Sequence, residues 1–398
     1  MSPTSPTTES RADAPAPAYA PNDGKPRPQL TTKSYGWGYN NYGGLGAGHT
    51  ARVLAPTRVA LPPDTADVQG GTDFSVALTH AGQVFTWGGN RWGQLGDGTT
   101  RHRFVPQRVV IRGDPHIVSI AVGDDHVMAL SKDGLVYGWG RHDLGQVGSG
   151  PLADRVLCPS PVKVPGNGTV TTIATGSACS FAIRSTGDLY AWGHATPLED
   201  AVPSAGLAAT RGGLGTILTP VQLTLRGGAK AEHVDAGQRH LVVVTRDGDL
   251  LTFGLNPFGR PLPDKLTLHP SWGRVTTVSA GDNHTLALTT RGTVLAWGLN
   301  RSGQLGTGDT TAHDQPVKVV VPGFSGRVVQ VLAGGDTSYL RAPNRVYAWG
   351  HSGWGQHGTG STDDVLRARR IPLPDHLKLT GLHVGRYHSF ATLTSVGR

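Results

Sequence analysis

Four histidines stand in one short context, Gly-x-x-His, at Gly123 to His126, Gly237 to His240, Gly281 to His284 and Gly385 to His388. A set of neutral imidazoles could hold a zinc ion, provided that they converged to about 2.0–2.1 Å of it. Three further copies of the motif argue otherwise. They begin at Gly71, Gly176 and Gly334 and carry Phe74, Cys179 and Thr337 in the histidine place. A position that also takes phenylalanine is a packing position, and residues on separate repeats do not meet at one ion. The histidines are therefore expected to be core residues that hydrogen-bond a loop, and no metal or cofactor is expected. Other chemistry is equally unmarked. The chain has no phosphate-loop motif, Gly-x-Ser-x-Gly, His-Glu-x-x-His or Cys-x-x-Cys. Its two cysteines, Cys158 and Cys179, form no disulfide framework. Catalytic residues are not identified.

The positions that a scaffold leaves free are better candidates for recognition. In the Gly-x-x-His turns these are Asp124, Asp125, Gln238, Arg239, Asp282, Asn283, Arg386 and Tyr387. A second recurrent pair, Trp-Gly, is followed by loops that contribute Arg91, His142, Asp143, His194, Arg301 and His351. Tyr42, Trp92, Phe258 and Trp354 fall in register, each one residue before a loop glycine. Aromatic and arginine side chains of this kind anchor protein interfaces. One loop is stretched: 27 residues separate Gly193 from Pro220, against 18 from Gly88 to Pro106. Its extra residues include Glu199 and Asp200, and insertions on a rigid scaffold tend to carry function.

These positions imply a repeated scaffold. Trp-Gly occurs at Trp37, Trp87, Trp139, Trp192, Trp297 and Trp349, with Phe253-Gly254 as a seventh copy, at intervals of roughly fifty residues. Each copy ends a short run such as QVFTWG or TVLAWG. A Gly-Gln-Leu-Gly element or a relative follows most of them, and then a proline-led run such as PVKV. Runs of four to eight residues, rich in Val, Leu and Thr and bounded by Gly, Asp or Pro, are strands. Four fit in each unit. Glycine, at 57 of 398 residues, is about twice its usual share, which suits many tight turns.

The ends of the chain choose between an open array and a ring. The sequence enters in the middle of a unit, near Lys33–Gly38, and finishes with the two strands that this unit lacks. Pairing them closes the ring and removes two sheet edges. The expected fold is an all-β, seven-bladed propeller of four-stranded antiparallel blades over residues 33–398. Residues 1–32, rich in Pro, Ser, Thr and Ala, are expected to form a disordered tail. Strand direction alternates, so the Gly-x-x-His turns and the Trp-Gly loops share one face.

The pattern Gly-x-x-His…Leu…Gly…Trp-Gly-x-Asn-x-x-Gly-Gln-Leu-Gly…Pro, clearest at Trp87–Leu95 and Trp297–Leu305, resembles the regulator-of-chromosome-condensation repeat family across about residues 33–395. The chain reads as a bacterial-type member. The resemblance implies the propeller and a range of roles, among them nucleotide exchange on small GTPases and chromatin binding.

The expected function is a non-catalytic, monomeric protein-binding scaffold that presents its loops to a protein partner. One alternative is an exchange-factor-like regulator of a small GTPase. Another is an enzyme or small-ligand binder at the mouth of the central channel, possibly serving a biosynthetic pathway. The net charge of +8 comes largely from dispersed arginine, so nucleic acid is a weaker expectation than protein. No run of eighteen apolar residues or signal-type core is present, so no membrane association is expected and a cytoplasmic location is the default.

Overall fold

The computed structural model describes residues 31–194, 215–256, 262, 265–266 and 268–395. Seven four-stranded antiparallel sheets follow one another around an axis. Six are consecutive in sequence: 65–108, 117–162, 170–223, 231–266, 275–318 and 330–370, numbered here blades 1 to 6. Blade 7 joins the two ends of the described chain. Its strand order is Val53–Val59, Thr31–Gly38, His388–Ser395 and Lys378–Val384. Eight consecutive residue pairs zip the terminal strands together, from Thr31 opposite Ser395 to Gly38 opposite His388. The ring closes as expected, with the first strand starting at Thr31, two residues ahead of the expected boundary.

Position within a blade explains the sequence of each strand. The innermost strands line the central channel. The second strands lie between neighbouring blades and are buried on both faces. Phe74–Thr79, His126–Ser131 and His284–Thr289 have every residue buried, and they read as near-continuous apolar runs. The outermost strands are half exposed, as in Arg103–Arg108, which carries arginine and glutamine.

The third strands bring the tryptophans into the seams between blades. Trp37, Trp87, Trp139, Trp192 and Trp349 are fully buried. Burial of an indole of about 150–250 Å² stabilises on the order of 4–6 kcal/mol. The indole N–H is stitched to the preceding blade. Trp87 donates to the Gly44 carbonyl (2.7 Å), Trp139 to Gln94 (3.0 Å), Trp349 to Gln304 (2.9 Å) and Trp37 to Gln356 (2.7 Å). The Gly-Gln-Leu-Gly element thus supplies a carbonyl acceptor for the next blade's indole. Its leucine fills the same seam, and Leu45, Leu95 and Leu305 are almost completely buried.

The histidines form a second set of latches. His388 Nε2 lies 2.6 Å from Ser75 Oγ on blade 1, His126 is 2.8 Å from Ser180, His240 2.9 Å from Thr285 and His284 2.8 Å from Ser338. Ser75, Ser180 and Ser338 each donate to a loop carbonyl, of Gly44, Gln146 and Gln304. A hydroxyl has one proton to give, so these imidazoles carry theirs on Nε2. Burial pushes His126 and His284 down to about 3, and His240 and His388 to about 4, so all four are neutral at pH 7. The glycine of Gly-x-x-His is needed because the ring packs on it. A Cβ at Gly123 would sit 2.2 Å from His126 Cε1.

Candidate functional site

Every Gly-x-x-His turn is tied to the loop that follows its own Trp-Gly pair. Tyr39 N donates to Tyr387 O, Gly89 to Asp73, Arg141 to Asp125, His194 to Ala178, Leu255 to Arg239, Leu299 to Asn283 and His351 to Asp336, at 2.8–2.9 Å. Turns and loops therefore share one face. Neighbouring turns are also joined around the channel mouth. Thr72 N donates to Asp124 O, Asp124 to Ser177, Ser177 to Gly237, Gln238 to Asp282, Asp282 to Gly335 and Arg386 to Gly71, over 2.8–3.3 Å. This collar of backbone hydrogen bonds holds the side chains of the face on a stiff ring.

Arg386 crosses the mouth inside the collar. Its guanidinium reaches Asp124 of blade 2 (2.7 Å) and Asp282 of blade 5 (2.7 Å), while Arg386 itself belongs to blade 7. Behind it lies a channel cavity of about 430 Å³, lined by the innermost strands and the turns. The carboxylates outnumber the cations here. Burial raises Asp124 to about 7, with Arg386 pulling the other way and Asp282 and Asp125 adding to the rise. Burial, reinforced by the Asp125 charge, lifts Asp73 to about 6. Deeper in the channel, burial raises Asp235 to about 7, although it accepts backbone bonds from Ala280 and Ala236.

Two aromatic groups sit outside the collar, each partnered by arginine. Trp92 lies beneath Arg141 (4.7 Å from guanidinium carbon to ring centroid) and Arg91 (5.4 Å). Arg141 is fixed by a two-pronged pair with Asp143, both contacts at 2.8 Å. On the other side of blade 7, Trp354 carries Arg52 (4.8 Å) and meets Tyr39 edge-on at 5.0 Å. Tyr39 then contacts Tyr387 (6.1 Å), over which Arg386 stacks at 5.3 Å. The loop glutamine orients both tryptophans, because Gln94 Oε1 accepts from Trp92 N and Gln356 Oε1 from Trp354 N.

The structure brings Asp124, Arg386 and Tyr387 to the mouth, with Trp92, Asp143 and Trp354 on the surrounding loops. Arg91, Arg239 and Arg301 are exposed on the same face, and Asn283 is half-buried. His351 bonds Asp364 (3.1 Å), and Tyr42 meets His102 at 5.1 Å with the rings tilted by 59°. His194 ends its strand and is half-buried. His142 differs from expectation. It is buried and accepts from Val147 N, in the place where Asn40, Asn90 and Asn300 accept from Leu45, Leu95 and Leu305. It holds its loop and is not offered to a partner. Glu199, Asp200 and Phe258 lie outside the described residues. The sequence reading passed over Tyr39, Arg52, Arg141, Asp73 and Asp336. Tyr39 and Arg141 occupy the residue directly after Trp-Gly, the same register as His194 and His351, and that register was the available signal.

Seven four-stranded blades, closed through the two terminal strands and carrying arginine-clad aromatics on one face, define the seven-bladed β-propeller class. Models described as the regulator of chromosome condensation (RCC1) repeat match residues 34–78, 81–130, 133–183 and 291–340, and also 117–146 and 275–304, together more than half of the chain. The chain belongs to this repeat family. It is 32% identical over 287 residues to the ultraviolet-B receptor UVR8 of Arabidopsis thaliana, covering 69% of this chain and 62% of that receptor. It is 29% identical over 362 residues to the mouse regulator of chromosome condensation, covering 82% of each. A crystal structure of Kap60 bound to yeast RCC1 (Prp20) shares the fold, with a TM-score of 0.78 at 20% identity over 97% of this chain and 96% of that one.

Proposed function

We propose that this chain is a non-catalytic protein-binding regulator that presents the collar face to a protein partner. The observation that carries this is the pair of half-buried tryptophans, Trp92 and Trp354, each stacked with arginine and oriented by a loop glutamine. Tryptophan, tyrosine and arginine dominate interface hot spots, and a preorganised anchor loses little entropy on docking. The relative described with Kap60 bound shows that a propeller of this fold takes a protein partner, which supports the reading here. A bacterial-type, cytoplasmic and monomeric protein remains part of this proposal. The exchange-factor alternative leans on the insertion around Glu199 and Asp200, beyond the described residues, and no described contact favours it.

The test is site-specific photo-crosslinking in cells. A crosslinker at Trp92, Trp354 or Arg301 is expected to capture one common partner. Crosslinkers at Lys132, in a turn on the opposite face, and at Arg345, which starts the strand after such a turn, should capture none of it. Equal capture from both faces would remove the collar as the binding surface.

A further inference from the structure

The innermost strands line the central channel with one recurring position, two residues before the glycine of Gly-x-x-His or its variants. Four blades carry a polar residue there, Gln69, Asp235, Ser279 and His383, and three an apolar one, Ala121, Ala174 and Leu332. The polar four tie their strand to the next blade. Gln69 Nε2 donates to Ile120 O (2.9 Å), Ser279 Oγ accepts from Ala333 N (3.0 Å), and His383 Nδ1 lies 3.0 Å from Asp67 Oδ1. Asp235 accepts from Ala280 N of blade 5 and from its own neighbour Ala236 N, both at 2.9 Å.

Four carboxylates line this channel, and three of them have a counter-group. Asp124 and Asp282 share the Arg386 guanidinium, and Asp67 pairs with His383. Asp235 makes no ion pair among the described residues, and against the rise that burial causes it has only its two backbone hydrogen bonds. A desolvated carboxylate without a counter-charge is costly, and an ammonium group placed on it recovers that cost. On the side towards blades 3 and 2 the wall carries only the methyl groups of Ala174 and Ala121, so the channel is widest beside this carboxylate. Its volume of about 430 Å³ is that of a small-molecule site. Arg386 bars the collar end. At the other end the residues that begin the inner strands, among them Val118, Thr171, Glu232 and Thr276, are exposed, and the side-chain bonds between inner strands join adjacent blades only. The channel is therefore entered from the face opposite the collar.

We propose that the channel binds a small organic ammonium ligand, which sets its amino group on Asp235 and lays its aliphatic body along Ala174 and Ala121. Each Asp235 oxygen keeps a lone pair after its backbone bond, so a primary ammonium can donate to the carboxylate as well as neutralise it. A quaternary ammonium carries the charge but has no N–H to give, and it binds less well. The site stands apart from Trp92 and Trp354 and does not rest on the protein-binding reading of the collar face.

The probe is n-butylammonium chloride, followed on its butyl protons by saturation-transfer NMR with the full chain at pH 8 and constant ionic strength. Saturable binding in the millimolar range or tighter is expected, with tetramethylammonium at least fivefold weaker. Asp235→Asn should weaken n-butylammonium at least tenfold, whereas Asp133→Asn, in a turn outside the channel, should change it less than twofold. Ala174→Leu keeps Asp235 and copies what blade 6 already carries at Leu332. By filling the wall beside the carboxylate it should also weaken binding at least tenfold, which keeps the test decisive where Asp235→Asn does not fold. Absence of saturation, or equal displacement by sodium chloride, would mean adventitious ion pairing only and overturns the proposal. Unchanged affinity in Ala174→Leu, or in a folded Asp235→Asn protein, also overturns it.

Discussion

Ser75→Val and His388→Phe, made singly and together, test whether the histidines act as latches between blades. The seam between blades 7 and 1 has His388 against Ser75, with the Gly44 carbonyl accepting from both Ser75 Oγ and Trp87 Nε1. The next seam has Phe74 followed by Val127, and the Gln94 carbonyl accepts from Trp139 alone. The molecule therefore contains both solutions. Ser75→Val strands the buried Nε2–H of His388, which is 1% exposed, at a cost of about 1–3 kcal/mol. The Gly44 carbonyl keeps its bond from Trp87, so no second buried group is orphaned. His388→Phe removes one of the two hydroxyl bonds and costs about 1 kcal/mol. The double variant rebuilds the arrangement of the neighbouring seam, so it should cost less than the sum by about 1–2 kcal/mol. Guanidinium midpoints at constant m give the three values. Additivity to within about 0.3–0.5 kcal/mol would refute the latch, because uncoupled sites behave in that way.

Acid should weaken the same seams. His388 is held at about 4 by burial, against about 6.5 in the unfolded chain, so the unfolded chain takes the proton first and stability is lost as pH falls from 6.5 towards 4. At pH 5 this amounts to about 2 kcal/mol, more than the roughly 1 kcal/mol that His388→Phe costs at pH 7, so in urea titrations the gap between wild type and His388→Phe should close and reverse between pH 7 and pH 5. Arg386→Gln should destabilise by about 1–3 kcal/mol by leaving Asp124 and Asp282 without their cation. Asp124 is raised to about 7, so its contribution is present below the ordinary carboxylate range and is lost as pH rises through 7. The Arg386→Gln deficit should accordingly be larger at pH 8 than at pH 6 in thermal melts. Gly88→Ala should cost several kcal/mol or prevent folding, because φ is +104° and a Cβ would lie 2.6 Å from the Asp73 carbonyl. Gly323→Ala, at φ +68° with open space around it, should cost only about 1 kcal/mol by the same melts.

The ring was legible because each blade repeats the same local problem. Trp-Gly must end a strand at positive φ, and Gly-x-x-His must let a ring pack on a glycine, so both recur as sequence. The shared face was legible as well, since it follows from strand alternation alone. Arg386 was visible only as a free position, because its partners Asp124 and Asp282 lie 262 and 104 residues away and no local pattern links them. His142 was misread because histidine and asparagine both present a hydrogen-bond acceptor, and only the bond from Val147 N shows which role it plays.

The latch was in fact written in the sequence, one residue further on than the histidine and one repeat later. The four repeats with histidine are followed by repeats that carry Ser75, Ser180, Thr285 or Ser338 directly after the motif, whereas Phe74 and Cys179 are followed by Val127 and Leu241. Thr337 is followed by Ser389, and there the tyrosine hydroxyl of Tyr339 meets the serine at 3.0 Å. A buried hydroxyl is kept where a donor faces it, and an apolar residue stands where none does. Reading each repeat against its successor, and not only against the consensus, is what exposes this pairing. The same comparison marks the seams of blades 2 and 3 and of blades 4 and 5, where the indoles of Trp192 and Trp297 have no hydrogen-bond partner among the described residues.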